Sequence, residues 1–369
     1  MKFVCEGMIL SEAALTVSKA CSAKTTTPIL ECIKLCAEND GLTLTAYDGE
    51  ISIEKKIMAE VLEEGELCVN GKTFADFVGK IASFEVVIAS NDTGIAIRYA
   101  DSESYMQALS ASDFPRLGER TTDGKSYFEI EQNALKTLIS KTVFCCATDD
   151  SRPILRGCLL EAKDGILKAT ALDGFRMACS ECDAVAGESE MTLICPARTL
   201  VEIARMIDGE GNLKIYADKN LLYVAVQDTV ITSRLYAGKF VSRQHIFPVV
   251  FSTVVSVNRA ELIESIERAS VLIRGDKYNL ISLDIKPTKI VINANSDMGK
   301  VEETVDAELD GKELKLAVNS KYLLDALKAL TEESVVLSLN RNDSPFTLKN
   351  ASATGSEYLI LPLRPGTQA

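Results

Sequence analysis

The sequence predicts an α+β chain built from three tandem copies of one unit of about 125 residues, each holding two amphipathic helices and several short strands. Three observations carry that prediction. Six segments place apolar residues at i, i+3, i+4 and i+7, the mark of one buried helical face. The six recur at offsets of 123 to 127 residues. Two loop signatures, Pro-Ile-Leu and Asp-Gly, recur at the same spacing in the first two copies.

Each copy runs strand, helix, strands, and then the same again. The first helix of each copy reads Leu10, Ala13, Ala14, Val17, then Leu135, Leu138, Ile139, Thr142, then Leu262, Ser265, Ile266, Ala269 behind an Asn258-x-x-Glu261 start that resembles a capping box. Thr142 and Ser265 weaken this stripe. The second helix reads Phe74, Phe77, Val78, Ile81 after Asn70, then Leu200, Ile203, Ala204, Ile207 after Pro196, then Leu323, Ala326, Leu327, Leu330 after Asn319. Lys72, Arg198 and Lys321 share one position in it. Pro28-Ile29-Leu30 stands 125 residues before Pro153-Ile154-Leu155, as Asp48-Gly49 does before Asp173-Gly174. Strand-like runs at 33–36, 42–45, 159–161 and 166–170 follow or precede these turns. Turn-rich stretches at 118–124 and 245–248 place the copies at 1–122, 123–248 and 249–369.

A composition of 47% hydrophobic and 25% charged residues, with mean hydropathy +0.09, excludes a disordered or collagen-like chain. No apolar run approaches the ~18 residues of a membrane span. The best stretch, 249–257, is broken by Ser252, Thr253 and Ser256. Glu6 and Gly7 interrupt any signal-peptide core. Eleven cysteines without regular spacing read as free thiols of a reducing compartment, so a cytoplasmic location is expected. The net charge of −13 excludes a DNA binder that grips through a large basic face. Within that total, the six helical segments hold eleven basic residues (Lys19, Lys72, Lys80, Lys136, Lys141, Arg198, Arg205, Arg259, Arg268, Lys321, Lys328) against seven acidic ones. The excess reads either as a weak positive surface or as ordinary solvated helix faces.

Motifs of catalysis fail one by one. Gly71-Lys72-Thr73 lacks the glycine of a phosphate loop, since Glu66 stands where it is needed. Cys179-x-x-Cys182 has no matching second pair and fits a half-buried strand better than a zinc site. His245 is the one histidine, which removes the usual general base. Carboxylates such as Asp149, Asp150 or Asp173 could do acid–base work, but no spacing singles out a pair. No catalytic residue, metal ligand or cofactor site is predicted.

Several pieces, in their order and spacing over essentially the whole chain, resemble one family. They are Met1-Lys2-Phe3, the two loop signatures, Leu172-Asp173-Gly174-Phe175-Arg176-Met177, Lys321-Tyr322-Leu323-Leu324-Asp325-Ala326-Leu327, Ser344-Pro345-Phe346 and Tyr358-Leu359-Ile360-Leu361-Pro362-Leu363-Arg364. The family is the bacterial sliding clamps, the beta subunit of replicative DNA polymerase III. The resemblance implies three similar clamp domains per chain, with helices on an inner face and antiparallel sheets as the outer layer. Two chains would close head-to-tail as a ring-shaped homodimer. Such a processivity factor is not an enzyme. It holds duplex DNA topologically and without regard to sequence, is opened by an ATP-driven clamp loader, and tethers the replicative polymerase, repair polymerases and other proteins. A membrane plays no part.

The same resemblance assigns residues. A groove for partner peptides would use Leu155, Leu172, Gly174, Phe175, Arg176 and Met177 from the second domain, then Val241 and Ile246 from the linker. The third domain would add Asn319, Tyr322 and Pro345, with Leu359, Ile360, Leu361, Pro362, Leu363 and Arg364 from the tail. DNA-facing candidates are Lys24, Lys72, Arg152, Arg198 and Lys321, each of which could equally be a plain surface charge. The dimer seam would use Tyr105, Met106, Ala108, Val271 and Leu272. Two departures stand out: Phe175 where the family often has histidine, and a turn at 240–248 that lacks the usual proline-rich pattern, leaving the groove wall near Val241 and His245 open.

Overall fold

The computed structural model of the chain describes residues 1–23, 25–39, 41–117, 125–184, 190–243, 246–276, 278–352 and 355–363. Among these residues, six α-helices occupy the six periodic segments: α1 (Gly7–Ser18), α2 (Gly71–Val78), α3 (Gln132–Ser140), α4 (Ala197–Met206), α5 (Arg259–Val271) and α6 (Ser320–Ala329). Each begins at the residue after a strand ends, so the helix starts are the points where period two gives way to 3.6. Asparagine caps three of the starts. Asn70 Oδ1 accepts from the Thr73 amide, Asn258 Oδ1 from Ala260 and Glu261, and Asn319 Oδ1 from Lys321 and Tyr322. The two polar residues that weakened the expected stripe are buried with partners. Thr142 Oγ1 donates to the Leu138 carbonyl at 2.8 Å, and Ser265 Oγ accepts from Arg268 at 2.9 Å.

The helical charge excess is smaller than expected. Lys19, Lys80 and Lys141 lie past the ends of α1, α2 and α3, with Lys19 and Lys141 at the C-caps, where a cation meets the negative end of the helix dipole. Arg268 and Lys328 are tied to Glu303 and Glu267 at 2.7 and 2.6 Å. The helices alone are therefore close to neutral.

The chain forms two compact units, 1–129 with 205–235 and 130–204 with 236–369. In the first, antiparallel neighbours run from Asn212–Ala217 through Leu221–Val226, Thr229–Arg234, Ile51–Met58, Gly41–Tyr47 and Cys32–Glu38 to Gly65–Asn70. They continue through Ser102–Leu109, Gly94–Tyr99, Glu85–Ser90 and Lys2–Glu6 to Glu60–Glu63. The second unit runs from Met191–Pro196 through Gly157–Lys163, Ile166–Leu172 and Arg176–Asp183 to Glu357–Ile360. Phe346–Asn350, Ser334–Leu339, Thr253–Asn258, Gly299–Gly311, Lys289–Ser296, Leu280–Lys286 and Leu314–Asn319 complete it, again antiparallel.

One pairing explains why these units cut across the repeat. Thr229–Arg234 lies on Ile51–Met58 (Ile231 opposite Ile53), and Glu357–Ile360 lies on Arg176–Asp183 (Tyr358 opposite Ala178). These are equivalent strands of successive copies. The last strand of the second copy and that of the third each complete the sheet begun by the copy before, so these copies share hydrogen bonds with their neighbours.

Candidate functional site

The hairpin that joins Ile166–Leu172 to Arg176–Asp183 is the centre of the site. Its turn repeats the one at 48–51 atom for atom. Asp173 Oδ1 accepts from the amides of Phe175 and Arg176 at 2.8 and 3.0 Å, as Asp48 Oδ1 does from Glu50 and Ile51 at 2.9 Å each. The following glycine takes φ +95° at Gly174 and +102° at Gly49, a conformation that a Cβ makes costly. What differs is the pair after it: Glu50-Ile51 in the first copy, Phe175-Arg176 in the second.

Arg176 is 9% exposed and fully engaged. Its Nε donates to Asp173 Oδ2 at 3.0 Å, Nη1 to Asp325 Oδ2 at 2.6 Å and Nη2 to the Phe144 carbonyl at 2.7 Å. Its Cζ stands 4.4 Å from the ring centre of Tyr322 and 5.4 Å from that of Phe144. Burial opposes the charge, but hydrogen bonding and charge from Asp325 and Asp173 outweigh it, and the arginine pKa is raised. Phe175, 58% exposed, stacks on Tyr322 with centroids 6.4 Å apart and planes at 25°.

Beside this corner lies an apolar cluster of Leu155, Leu172, Met177, Cys179, Phe247 and Leu359, flanked by Ala147, Ile154, Phe240 and Ile246. Five of the expected groove residues thus meet in one cluster: Leu155, Leu172, Met177, Leu359 and Ile246. The tail is laced to both sides of the corner. The Leu361 amide donates to the Phe175 carbonyl at 2.9 Å and the Leu363 amide to the Ala317 carbonyl at 2.8 Å. Leu361, Pro362 and Leu363 are half-buried, as are Tyr322 and Pro345, and Val241 is exposed. Ile360 is buried opposite Arg176 and Phe346, and the Asn319 side chain caps α6. Arg364 and His245 lie outside the described residues.

Five cluster members were not among the expected groove residues: Ala147, Ile154, Cys179, Phe240 and Phe247. Cys179 carried a usable signal, since it follows Met177 by two on one strand and so shares its face. Phe240 and Phe247 sit in the linker, where no periodicity marks a residue as buried. The expectation of a half-buried strand here is corrected: Arg176 to Ser180 are buried throughout, because α3 packs on this strand and Ser180 Oγ is bonded to Ser356 Oγ at 2.8 Å.

Lys72, Arg152, Arg198 and Lys321 are all exposed, and Lys24 lies outside the described residues. Arg152 flanks the Asp173-Gly174 turn: a Cβ on Gly174 would stand 3.9 Å from its Nη1. Of the seam residues, Tyr105 and Val271 are exposed (69% and 51%), while Met106, Ala108 and Leu272 are half-buried. No group of three or more His, Cys, Asp or Glu among the described residues could hold a metal ion.

Solved structures share this fold over nearly the whole chain. The DNA polymerase sliding clamp of Bacillus subtilis superposes with a TM-score of 0.92 at 29% identity, covering 99% of both chains. The DNA polymerase III beta subunit of Pseudomonas aeruginosa gives 0.90 at 28%, over 99% of this chain and 100% of that one. The beta sliding clamp of Halalkalibacterium halodurans is 32% identical over 380 residues, and that of Bacillus subtilis 30% over 379, each match spanning 99% of this chain and 100% of the relative. The architecture is therefore that of a sliding clamp. Profiles of the DNA polymerase III beta subunit match in succession, the N-terminal domain at 1–118, the central domain at 129–242 and the C-terminal domain at 244–364. The chain belongs to the DNA polymerase III beta subunit family.

Proposed function

We propose that two copies of this chain close head-to-tail around duplex DNA and that the hairpin-centred groove tethers replication proteins to it. One observation carries the ring. Two equivalent strand pairings join successive copies, and one member of each kind is left over: the outer edge of 102–107 in the first copy and that of 299–306 in the third have no strand neighbour among the described residues. The same pairing between chains uses both edges, and a heterologous contact of this kind closes after two chains. Tyr105 and Met106 lie on the first edge, Ala108 just beyond it where the strand pairs with Val69, and Val271 and Leu272 at the end of α5; together they make the seam in this reading.

In this reading the clamp domains are 1–122, 123–248 and 249–369, with helices inward and sheets outward. Lys72, Arg198 and Lys321, each second in its helix, give weak phosphate contacts that suit sliding. Partners are the replicative polymerase, an ATP-driven loader and repair polymerases in the cytoplasm. The chain binds no cofactor and catalyses nothing. The groove offers an apolar floor (Met177, Leu359, Leu155), backbone edges in the tail and an aromatic corner, which suits a short apolar peptide.

The test is topological. Protein loaded on nicked circular DNA is retained, and linearising the circle releases it. Retention unchanged by linearisation defeats the ring and leaves a scaffold or a conventional DNA binder.

A further inference from the structure

We infer that Asp325 is a specificity-determining residue of the groove: it neutralises and fixes Arg176, so that the corner accepts an apolar or aromatic side chain of a partner peptide and rejects a carboxylate. The inference rests on the groove reading above. A buried arginine at the end of an apolar groove would ordinarily be an anchor for a carboxylate. Here the guanidinium faces two carboxylates of its own, Asp173 at 3.0 Å and Asp325 at 2.6 Å, and its third nitrogen is spent on the Phe144 carbonyl. Arg176 is thus more than balanced by its own two carboxylates, and with the exposed Arg152 beside Gly174 the corner as a whole is neutral.

Asp325 and Tyr322 are three apart on α6 and share a face, so one helix supplies both the counter-charge and the ring over which Arg176 lies. Phe175 covers that ring from the outside. What an incoming peptide meets is carbon, with a satisfied cation behind it. The first copy has Glu50-Ile51 in place of Phe175-Arg176, so its hairpin does not share this charge balance.

Asparagine is the informative replacement, because it keeps the shape and an acceptor oxygen while removing the charge. Random heptapeptides displayed on phage are panned on wild type, on Asp325→Asn, and on Met177→Lys as a groove blank. The peptide best enriched on wild type, and the same peptide with its strongest apolar anchor replaced by Glu, are then titrated by fluorescence anisotropy. Wild type should prefer the apolar peptide, and Asp325→Asn should narrow that preference by about tenfold, with Asp325→Glu restoring it. A loss of general packing would weaken both peptides alike and leave their ratio unchanged. An unchanged ratio in Asp325→Asn, with binding still abolished by Met177→Lys, overturns the role of Asp325. Equal binding to wild type and Met177→Lys overturns the groove itself.

Discussion

Cys36 and Cys182 are only half-buried, yet both thiols are pushed up to about 11: by burial and the Glu38 carboxylate at Cys36, and by burial with Asp183 and Glu181 at Cys182. A raised thiol pKa keeps the sulfur protonated, so the thiolate is scarce near neutral pH and grows only as pH approaches 11. Iodoacetamide at pH 8 should modify these two sites about a hundredfold more slowly than a free thiol of ordinary pKa. Peptide mapping of a short labelling pulse measures this. Labelling at the free-thiol rate contradicts it. At this scale the sequence was legible where a residue acts on its near neighbours. Asp173 and Gly174 build their own turn, and Asn70, Asn258 and Asn319 cap the helices that follow them. It named Arg176 only through the resemblance and gave no sign of how that side chain is held, since its partners Phe144 and Asp325 stand 32 and 149 positions away.

All six helices were placed by their apolar stripes, because a stripe at helical spacing has one low-energy solution, burial against a sheet. Their ends were not, and three lysines expected on helices fall just beyond them. The Asp-Gly hairpin is an element whose shape depends on one residue. Gly174→Ala forces a side chain into φ +95° and should cost about 1 kcal/mol or somewhat more. That loss should lower Tm by a few degrees at most and displace the Phe175 carbonyl that receives Leu361. Calorimetry together with peptide affinity checks it, and an alanine variant with unchanged Tm and affinity would show that the turn tolerates the change.

For the whole molecule, the two outer edges at 102–107 and 299–306 predict a dimer whose stability depends on a small apolar seam. Met106→Lys combined with Leu272→Lys places a cation on each side of it and should shift the mass in sedimentation equilibrium from dimer to monomer. A double variant that remains dimeric at low micromolar concentration argues for another interface. The net charge of −13 sits easily with a ring, since screening over ~8 Å lets an acidic surface and a scattered set of lysines and arginines act independently.

By itself the sequence determined the threefold repeat, the six helices and their buried stripes, the Asp-Gly turns and the absence of an enzyme-like motif. All of these depend on spacings within a single element or between copies of it, and spacing is what a linear sequence records. Only the tertiary structure decided which copy pairs with which, which residues meet in the apolar cluster, and that Tyr322, on which the exposed Phe175 ring stacks, faces a cation already bonded to Asp173 and Asp325. Those are contacts between distant positions, selected by the hydrogen-bond register of the sheets and the packing of α6 against the hairpin, and no local pattern encodes them.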